Sequence, residues 1–119
     1  MRAVNLGEKF SLFFDYWSPK IVGELNGQQV KLAKLNGEFV WHSHEKEDEL
    51  FFVVKGCLRI KLRDSEALVR EGEFLIVPRG TEHLPIADQE CHVVLLEPAS
   101  TRNTGNIANE RTVSQPERL

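Results

Sequence analysis

The chain has 119 residues, of which 41% are hydrophobic and 28% are charged, and its formal net charge is -3 at pH 7. This length is typical of one domain that buries a core without disulfide or metal support, and the composition is unlike that of a disordered chain. Basic and acidic residues are interspersed, so the chain offers no broad positive face, which argues against nucleic acid and anionic membranes as partners.

The first segment, 1–20, carries more aromatic weight than a frayed terminus usually does. These side chains are expected to be buried against another surface. The sequence allows two such surfaces: the outer face of the chain's own sheet, or a second subunit. The segment has no sustained apolar run followed by a small-residue cleavage site, so a secretory signal is not expected and the cytoplasm is the default location.

From 21 to 97, short hydrophobic segments recur between Gly, Pro, Asn and charged turns, a pattern that favours an all-β antiparallel sandwich or barrel. The dipeptides Asn26-Gly27 and Asn36-Gly37 favour hairpin turns. The longest apolar runs are strand-length and far too short to span a bilayer. About nine strands are predicted, at 21–25, 30–35, 38–44, 49–54, 57–63, 67–69, 74–77, 83–87 and 92–96.

The last segment, 98–119, turns polar and loses the alternating pattern, so it is predicted to be an extended tail that is ordered only where it docks. Two cysteines, Cys57 and Cys91, are too few for a disulfide framework and are expected to be packed thiols. No change of composition marks a second domain, and the chain therefore divides into an N-terminal segment, one barrel and a tail.

Four residues form a candidate metal site. His42 and His44 are alternate residues, so on a strand both side chains project from the same face. Glu49 opens the next apolar run after a short polar turn that returns the chain beside them, and a buried carboxylate is costly unless it is paired or binds a metal. His83 follows a turn at the start of a strand and is the preferred fourth ligand, whereas His92 is expected to face solvent or pack in the core.

These residues also carry a family resemblance. The succession Gly37, His42-Ser43-His44, Glu49 and Gly56 resembles the first motif of the cupin superfamily. The succession Gly72, Pro78-Arg79-Gly80 and His83 is similar to the second motif, except that Ala87 stands where Asn is common. Among cupins, the chain most resembles small single-domain proteins often labelled mannose-6-phosphate isomerase-like, a label that describes the fold and not an activity.

The resemblance implies a double-stranded β-helix, or jelly-roll barrel, over 21–97, and it also suggests a homodimer. Three imidazoles and one carboxylate suit one divalent ion among Mn, Fe, Co, Ni and Zn. Two functions remain open: an enzyme (a dioxygenase, isomerase or lyase) acting on a small oxygen-rich or anionic molecule, and a non-catalytic module that binds a sugar-type ligand around a structural metal. The sequence offers no separate catalytic acid or base.

Overall fold

The computed structural model describes all 119 residues and contains one short helix and eight strands. No helix in it is long and apolar enough to cross a membrane. The elements in chain order are α1 Leu6–Phe10, β1 Lys20–Leu25, β2 Gln28–Glu38, β3 Glu49–Lys55, β4 Cys57–Lys61, β5 Glu66–Arg70, β6 Phe74–Val77, β7 Leu84–Pro98 and β8 Glu117–Arg118.

Strand β7 organises the barrel because it pairs with three other strands. Its first half pairs with β4 and with the end of β2, whereas its second half lies between β2 and β3. Strand β6 adds to the free side of β3, and β1 adds to β2; every pairing is antiparallel except the short one between β1 and β8. The all-β, jelly-roll fold predicted from the sequence is confirmed.

The core lies inside this barrel and is built by side chains that alternate along each strand. On β3, Phe51 and Val53 point inward together with Glu49, and on β4 the inward residues Leu58 and Ile60 are almost completely buried. Removing such a buried aliphatic side chain typically costs about 2 to 5 kcal/mol of stability, because the lost burial and the cavity add together. Among the inward residues of β3, Glu49 places a carboxylate at the edge of an otherwise apolar core.

Three predictions about strands and turns are wrong. The segment 38–44 is not a strand, since β2 ends at Glu38 and the following residues form only an isolated bridge at His42. The dipeptide Asn36-Gly37 makes no hairpin; β2 continues through it with a register shift against β7. The two strands predicted at 83–87 and 92–96 are one strand, β7, because its polar middle stays extended where a turn was expected.

The N-terminal segment lies on the outer face of the sheet. The helix α1 begins after Asn5, whose side chain accepts a hydrogen bond from the backbone N–H of Glu8 at 2.9 Å. Phe10 and Phe13 pack with the buried Leu32 in a second, smaller apolar cluster. These contacts show burial of two of the segment's aromatic side chains within one chain.

The two cysteines are both free, and they differ in exposure. Cys91 lies in the core on β7, whereas Cys57 is exposed at the start of β4. The expectation that both are packed thiols is therefore wrong for Cys57. Its position at the end of a tight turn leaves its side chain on the outer face of the strand.

Candidate metal centre

The four residues proposed as ligands come together at one end of the barrel. His42 and His44 lie in the irregular segment between β2 and β3, Glu49 is the first residue of β3, and His83 immediately precedes β7. One possible ligand atom from each residue lies within 4.8 Å of all the others, and all four side chains are buried. The His/His/Glu/His cluster could therefore hold a metal ion.

Main-chain hydrogen bonds join the two motifs that carry these ligands. The N–H of His42 donates to the carbonyl of His83 at 3.0 Å, and the N–H of His83 donates to the carbonyl of His42 at 2.9 Å. The N–H of Gly80 donates to the carbonyl of His44 at 2.7 Å. These main-chain bonds hold residues that are distant in sequence beside each other. The ligand side chains that they carry therefore point to the same place.

Two of the imidazoles have a defined tautomer. Nδ1 of His42 lies 2.9 Å from the carbonyl oxygen of Val40, and Nδ1 of His83 lies 2.9 Å from that of Thr81. A carbonyl oxygen only accepts, so each Nδ1 carries the hydrogen and each Nε2 keeps its lone pair. This is the arrangement in which histidines bind metals through Nε2 while the other ring nitrogen donates to the protein.

The atoms at the centre of the cluster lack protein partners. Oε1 of Glu49 lies 3.4 Å from Nε2 of His44 and 3.6 Å from Nε2 of His83. All three atoms are buried and make no hydrogen bond. Buried polar atoms without partners are costly and rare, and a cation bound between them would satisfy all three. The residues present therefore fit a divalent metal.

The protonation of the cluster also suits a cation. Burial, reinforced by the neighbouring His83, lowers the pKa of His42 to about 4, so this imidazole is neutral near pH 7. Burial raises the pKa of Glu49, but the neighbouring carboxyl group of Glu97 and the imidazoles of His44 and His83 outweigh it and hold that pKa well below its usual range. The cluster thus presents a carboxylate beside a neutral imidazole, which are the forms that ligate metals.

Sequence reasoning missed a buried pair of ionisable residues, Lys31 and Glu97, beside the cluster. Nζ of Lys31 on β2 donates to Oε1 of Glu97 on β7 at 2.8 Å, and both side chains are almost wholly buried. Burial, and then the negative charge of Glu49, raise the pKa of Glu97 well above its usual range. The sequence did contain a signal for this pair. Lys31 and Glu97 each belong to the alternate set of positions whose other members on the same strand are apolar and point inward.

A small cavity opens beside the ligands. Its volume is about 30 Å³, and His42, Glu49 and Glu97 line it together with apolar side chains such as Trp17 and Phe39. The backbone φ of Trp17 is 59°, a left-handed value that a bulky residue rarely adopts. The indole stacks on Phe39 with ring centroids 4.7 Å apart and donates to the carbonyl of Asn36 at 2.9 Å. These contacts hold Trp17 over the cavity.

Arg59 and His92 lie away from the site. Arg59 points outward and pairs with Asp88 at 2.9 Å and with Glu66 at 2.8 Å, so it adds no charge to the barrel interior. The ring of His92 stacks on Phe10 with centroids 4.8 Å apart, and its Nε2 lies 2.7 Å from a carboxylate oxygen of Glu90. His92 is therefore held on the outer face, as expected of a histidine outside the ligand set.

Comparisons with known proteins agree with this architecture. The family model described as a cupin domain, Cupin_2, matches residues 28–97, which is more than half of the chain. A cupin-2 domain containing protein from Shewanella frigidimarina is 45% identical, with a TM-score of 0.80 and coverage of 81% of this chain and 94% of that one. Protein NMB1881 from Neisseria meningitidis is 32% identical, with a TM-score of 0.76 and coverage of 82% and 100%.

Two further likenesses are weaker. KdgF from Halomonas sp. is 23% identical, with a TM-score of 0.61 and coverage of 70% of this chain and 78% of that one, which supports a common fold alone. The Bacillus subtilis (strain 168) protein YdbB, described as uncharacterized, is 41% identical over 63 residues, or 52% of this chain. That match spans 56% of YdbB, so the chain covers little more than half the length of this curated relative.

Proposed function

This chain belongs to the cupin family, and on that premise we propose that it is a metal-dependent enzyme acting on a small oxygen-rich or anionic molecule. One observation carries the proposal: three buried atoms, Nε2 of His44, Nε2 of His83 and Oε1 of Glu49, face one another without hydrogen-bond partners. A purely structural core would be expected to pair such atoms or to replace them with apolar groups.

The ligand set defines the chemistry. Three imidazoles and one carboxylate leave two positions open on an octahedral ion, and they suit Mn, Fe, Co, Ni or Zn. Bound there, such an ion supplies a Lewis acid that polarises a coordinated oxygen. Neutral histidines and one carboxylate leave a net charge of about +1 around a divalent ion, which favours an anionic or enolisable oxygen ligand.

The cavity contains a carboxyl group, that of Glu97, which lies beside the metal ligands but is not itself a ligand. No such group was expected from the sequence. Glu97 lines the same cavity as His42 and Glu49, and Lys31 holds one of its oxygens. An enzyme of this kind needs a group that can exchange a proton with a bound molecule while the ligands stay in place. The position of Glu97 therefore supports catalysis over simple binding.

The first experiment tests metal binding. Protein purified without a histidine tag and without added metal is analysed for its elements, together with His42→Ala, His83→Ala and the matched control His92→Ala. The proposal requires metal in the wild type and in His92→Ala, with loss in the other two variants. Metal retained by His42→Ala and His83→Ala would show that the ligand assignment is wrong.

The second experiment tests turnover. Metal-loaded protein is incubated with diketones, thiols and phenols while oxygen uptake and product formation are followed, and Glu97→Gln is compared with the wild type. Turnover that falls in Glu97→Gln at unchanged metal content supports an enzyme with Glu97 in its active site. No turnover with any substrate class, from a protein that retains its metal, counts against catalysis.

A non-catalytic module that binds a small sugar-type ligand is the second candidate, and the aromatic lining of the cavity by Trp17 and Phe39 favours it, since ligand pockets are lined mainly by apolar and aromatic side chains. A binding module predicts a saturable change in intrinsic fluorescence on adding ligand, since Trp17 lines the cavity, without any conversion of that ligand.

For assembly we propose a homodimer. Leu68 on β5 and Phe74 on β6 are exposed apolar residues that line one surface depression, and Ile76 is a further exposed apolar residue on β6. Sedimentation velocity of Phe74→Ser tests this face, and Phe14→Ser, on the exposed part of the N-terminal segment, is the matched control. Dissociation only in Phe74→Ser supports the β5–β6 face; dissociation only in Phe14→Ser would assign the contact to the N-terminal segment.

A further inference from the structure

The segment that follows β7 returns to the residue between the two histidines of the first motif. The N–H of Ser43 donates to the side-chain oxygen Oδ1 of Asn106 at 2.9 Å, and the N–H of Asn106 donates to the carbonyl of Ser43 at 3.0 Å. Asn106 thus serves both main-chain polar groups of Ser43. Because Ser43 lies between His42 and His44, these two bonds restrain the backbone on which both imidazoles stand.

The contact is so close that only glycine fits beside Asn106. A Cβ added at Gly105 would overlap the carbonyl oxygen of Ser43 and would lie 3.1 Å from Cδ2 of the His42 ring. Backbone atoms cannot yield to such an overlap as the end of a flexible side chain can. Gly105 is therefore the position at which the tail touches both the ligand segment and a ligand ring.

The tail is closed by hydrogen bonds between its own residues, so it can act as a rigid clasp. The side chain of Asn103 donates to the carbonyl of Arg111 at 2.7 Å and accepts from the N–H of Val113 at 2.8 Å. Thr104 is completely buried, and its hydroxyl lies 2.7 Å from that of Thr112. A loop whose own side chains close it in this way keeps its shape on the surface.

The ligand segment needs such a support because little regular structure holds it. It runs between the end of β2 at Glu38 and the start of β3 at Glu49, and apart from the clasp its main chain is bonded to the rest of the barrel at Phe39, His42 and His44. The clasp adds a further fixed point at Ser43, between the two histidines. Imidazoles on an irregular segment need such restraints if their Nε2 atoms are to meet one cation.

We propose that Gly105 and Asn106 are positioning residues of the metal centre, holding the Ser43 peptide so that His42 and His44 face the same cation. This inference rests on the proposed function only in requiring that the cluster binds a metal. The two residues lie outside 28–97, the part of the chain that matches the cupin domain. If Gly105 and Asn106 have this role, the polar tail is part of the candidate metal centre.

Cobalt(II) titration followed by visible absorption tests the proposal, because it reports affinity and ligand geometry without an activity. Asn106→Ala should weaken cobalt binding about tenfold and change the absorption bands, as loss of groups that orient metal ligands does. Asn106→Asp keeps an acceptor oxygen for the Ser43 N–H and should restore the wild-type spectrum. Gly105→Ala should weaken binding at least as much as Asn106→Ala.

Asn109→Ala is the matched control, since its side chain accepts from the N–H of Arg111 at 2.9 Å within the same tail and does not contact Ser43. It should keep cobalt affinity within about twofold of the wild type, even where its thermal midpoint falls. Wild-type affinity and spectrum in Asn106→Ala, or equal weakening in Asn109→Ala, would overturn the clasp while leaving metal binding intact. A wild-type protein that binds no cobalt would overturn the proposed function and the clasp together.

Discussion

Lys31 and Glu97 meet inside the barrel, with Nζ 2.8 Å from Oε1, and neither side chain has appreciable contact with solvent. Burial raises the pKa of Glu97, and the neighbouring Glu49 raises it further. The barrel interior thus holds two carboxyl groups and one ammonium group beside three imidazoles. Such a concentration of buried ionisable groups stabilises a fold less than apolar packing would, and it is typical of functional sites.

Breaking this pair on one side should destabilise the protein. Lys31→Met leaves one oxygen of the Glu97 carboxyl group buried without its hydrogen-bond donor, and because burial favours the neutral form of that carboxyl we expect a loss of about 1 to 3 kcal/mol in the free energy of unfolding. The double variant Lys31→Met/Glu97→Leu removes both groups and should recover most of the loss. Urea denaturation measures all three proteins, and a double variant no more stable than Lys31→Met would contradict this account.

The sequence predicted the barrel well because its hairpins and apolar alternation are local signals. Asn26-Gly27 does join two antiparallel strands, and Glu49 does begin a strand whose alternate residues are buried. The polar middle of β7 misled the prediction: residues 88–90 lie at a register shift without partners, and β7 is one strand because its pairing with β2 continues on both sides of them. Strand pairing there outweighs local propensity. The same competition explains Asn36-Gly37, where pairing to β7 continues past a turn dipeptide.

Those residues of the candidate site that belong to a sequence motif could be predicted. His42, His44, Glu49 and His83 were found by spacing, and the structure brings them together; that they bind a metal stays a prediction. Lys31 and Glu97 were passed over because a charged residue on a strand is usually solvated, although each alternates with inward apolar residues on its own strand. The contact of Asn106 with Ser43 likewise spans residues for which no local pattern exists.

Stability of the metal-free protein should fall as the pH falls from about 6.5 to about 4. The pKa of His42 is lowered from 6.5 to about 4, so in this window the unfolded chain binds a proton that the folded chain does not. Over the whole window the loss from this one group is about 3 kcal/mol. Urea denaturation in the presence of a chelator measures it.

His42→Gln is the control for that pH dependence, since it keeps a polar side chain and removes the titrating group. Its stability should vary less with pH between about 6.5 and 4, by about the same 3 kcal/mol. An identical pH dependence in His42→Gln and the wild type would mean that other groups dominate the acid transition.

Metal binding should stabilise the fold, because the ligands are brought together only in the native state. At a free metal concentration about 100 times the dissociation constant the gain is about 2.7 kcal/mol, which corresponds to a rise of about 10 °C in Tm for a chain of this length. The same metal should leave the Tm of His83→Gln unchanged and raise that of His92→Gln fully. Equal rises in the two variants would exclude His83 from the ligand set.

The two cysteines should differ sharply in reactivity, because Cys57 is exposed and Cys91 is buried. Burial, and to a lesser degree the nearby thiol of Cys57, raise the pKa of Cys91 to about 12, so at pH 8 the buried thiol has almost no nucleophilic thiolate. A disulfide reagent should therefore modify one thiol per native chain, none in Cys57→Ser, and both in guanidinium chloride. Modification of Cys91 in the native protein would show that this part of the core opens.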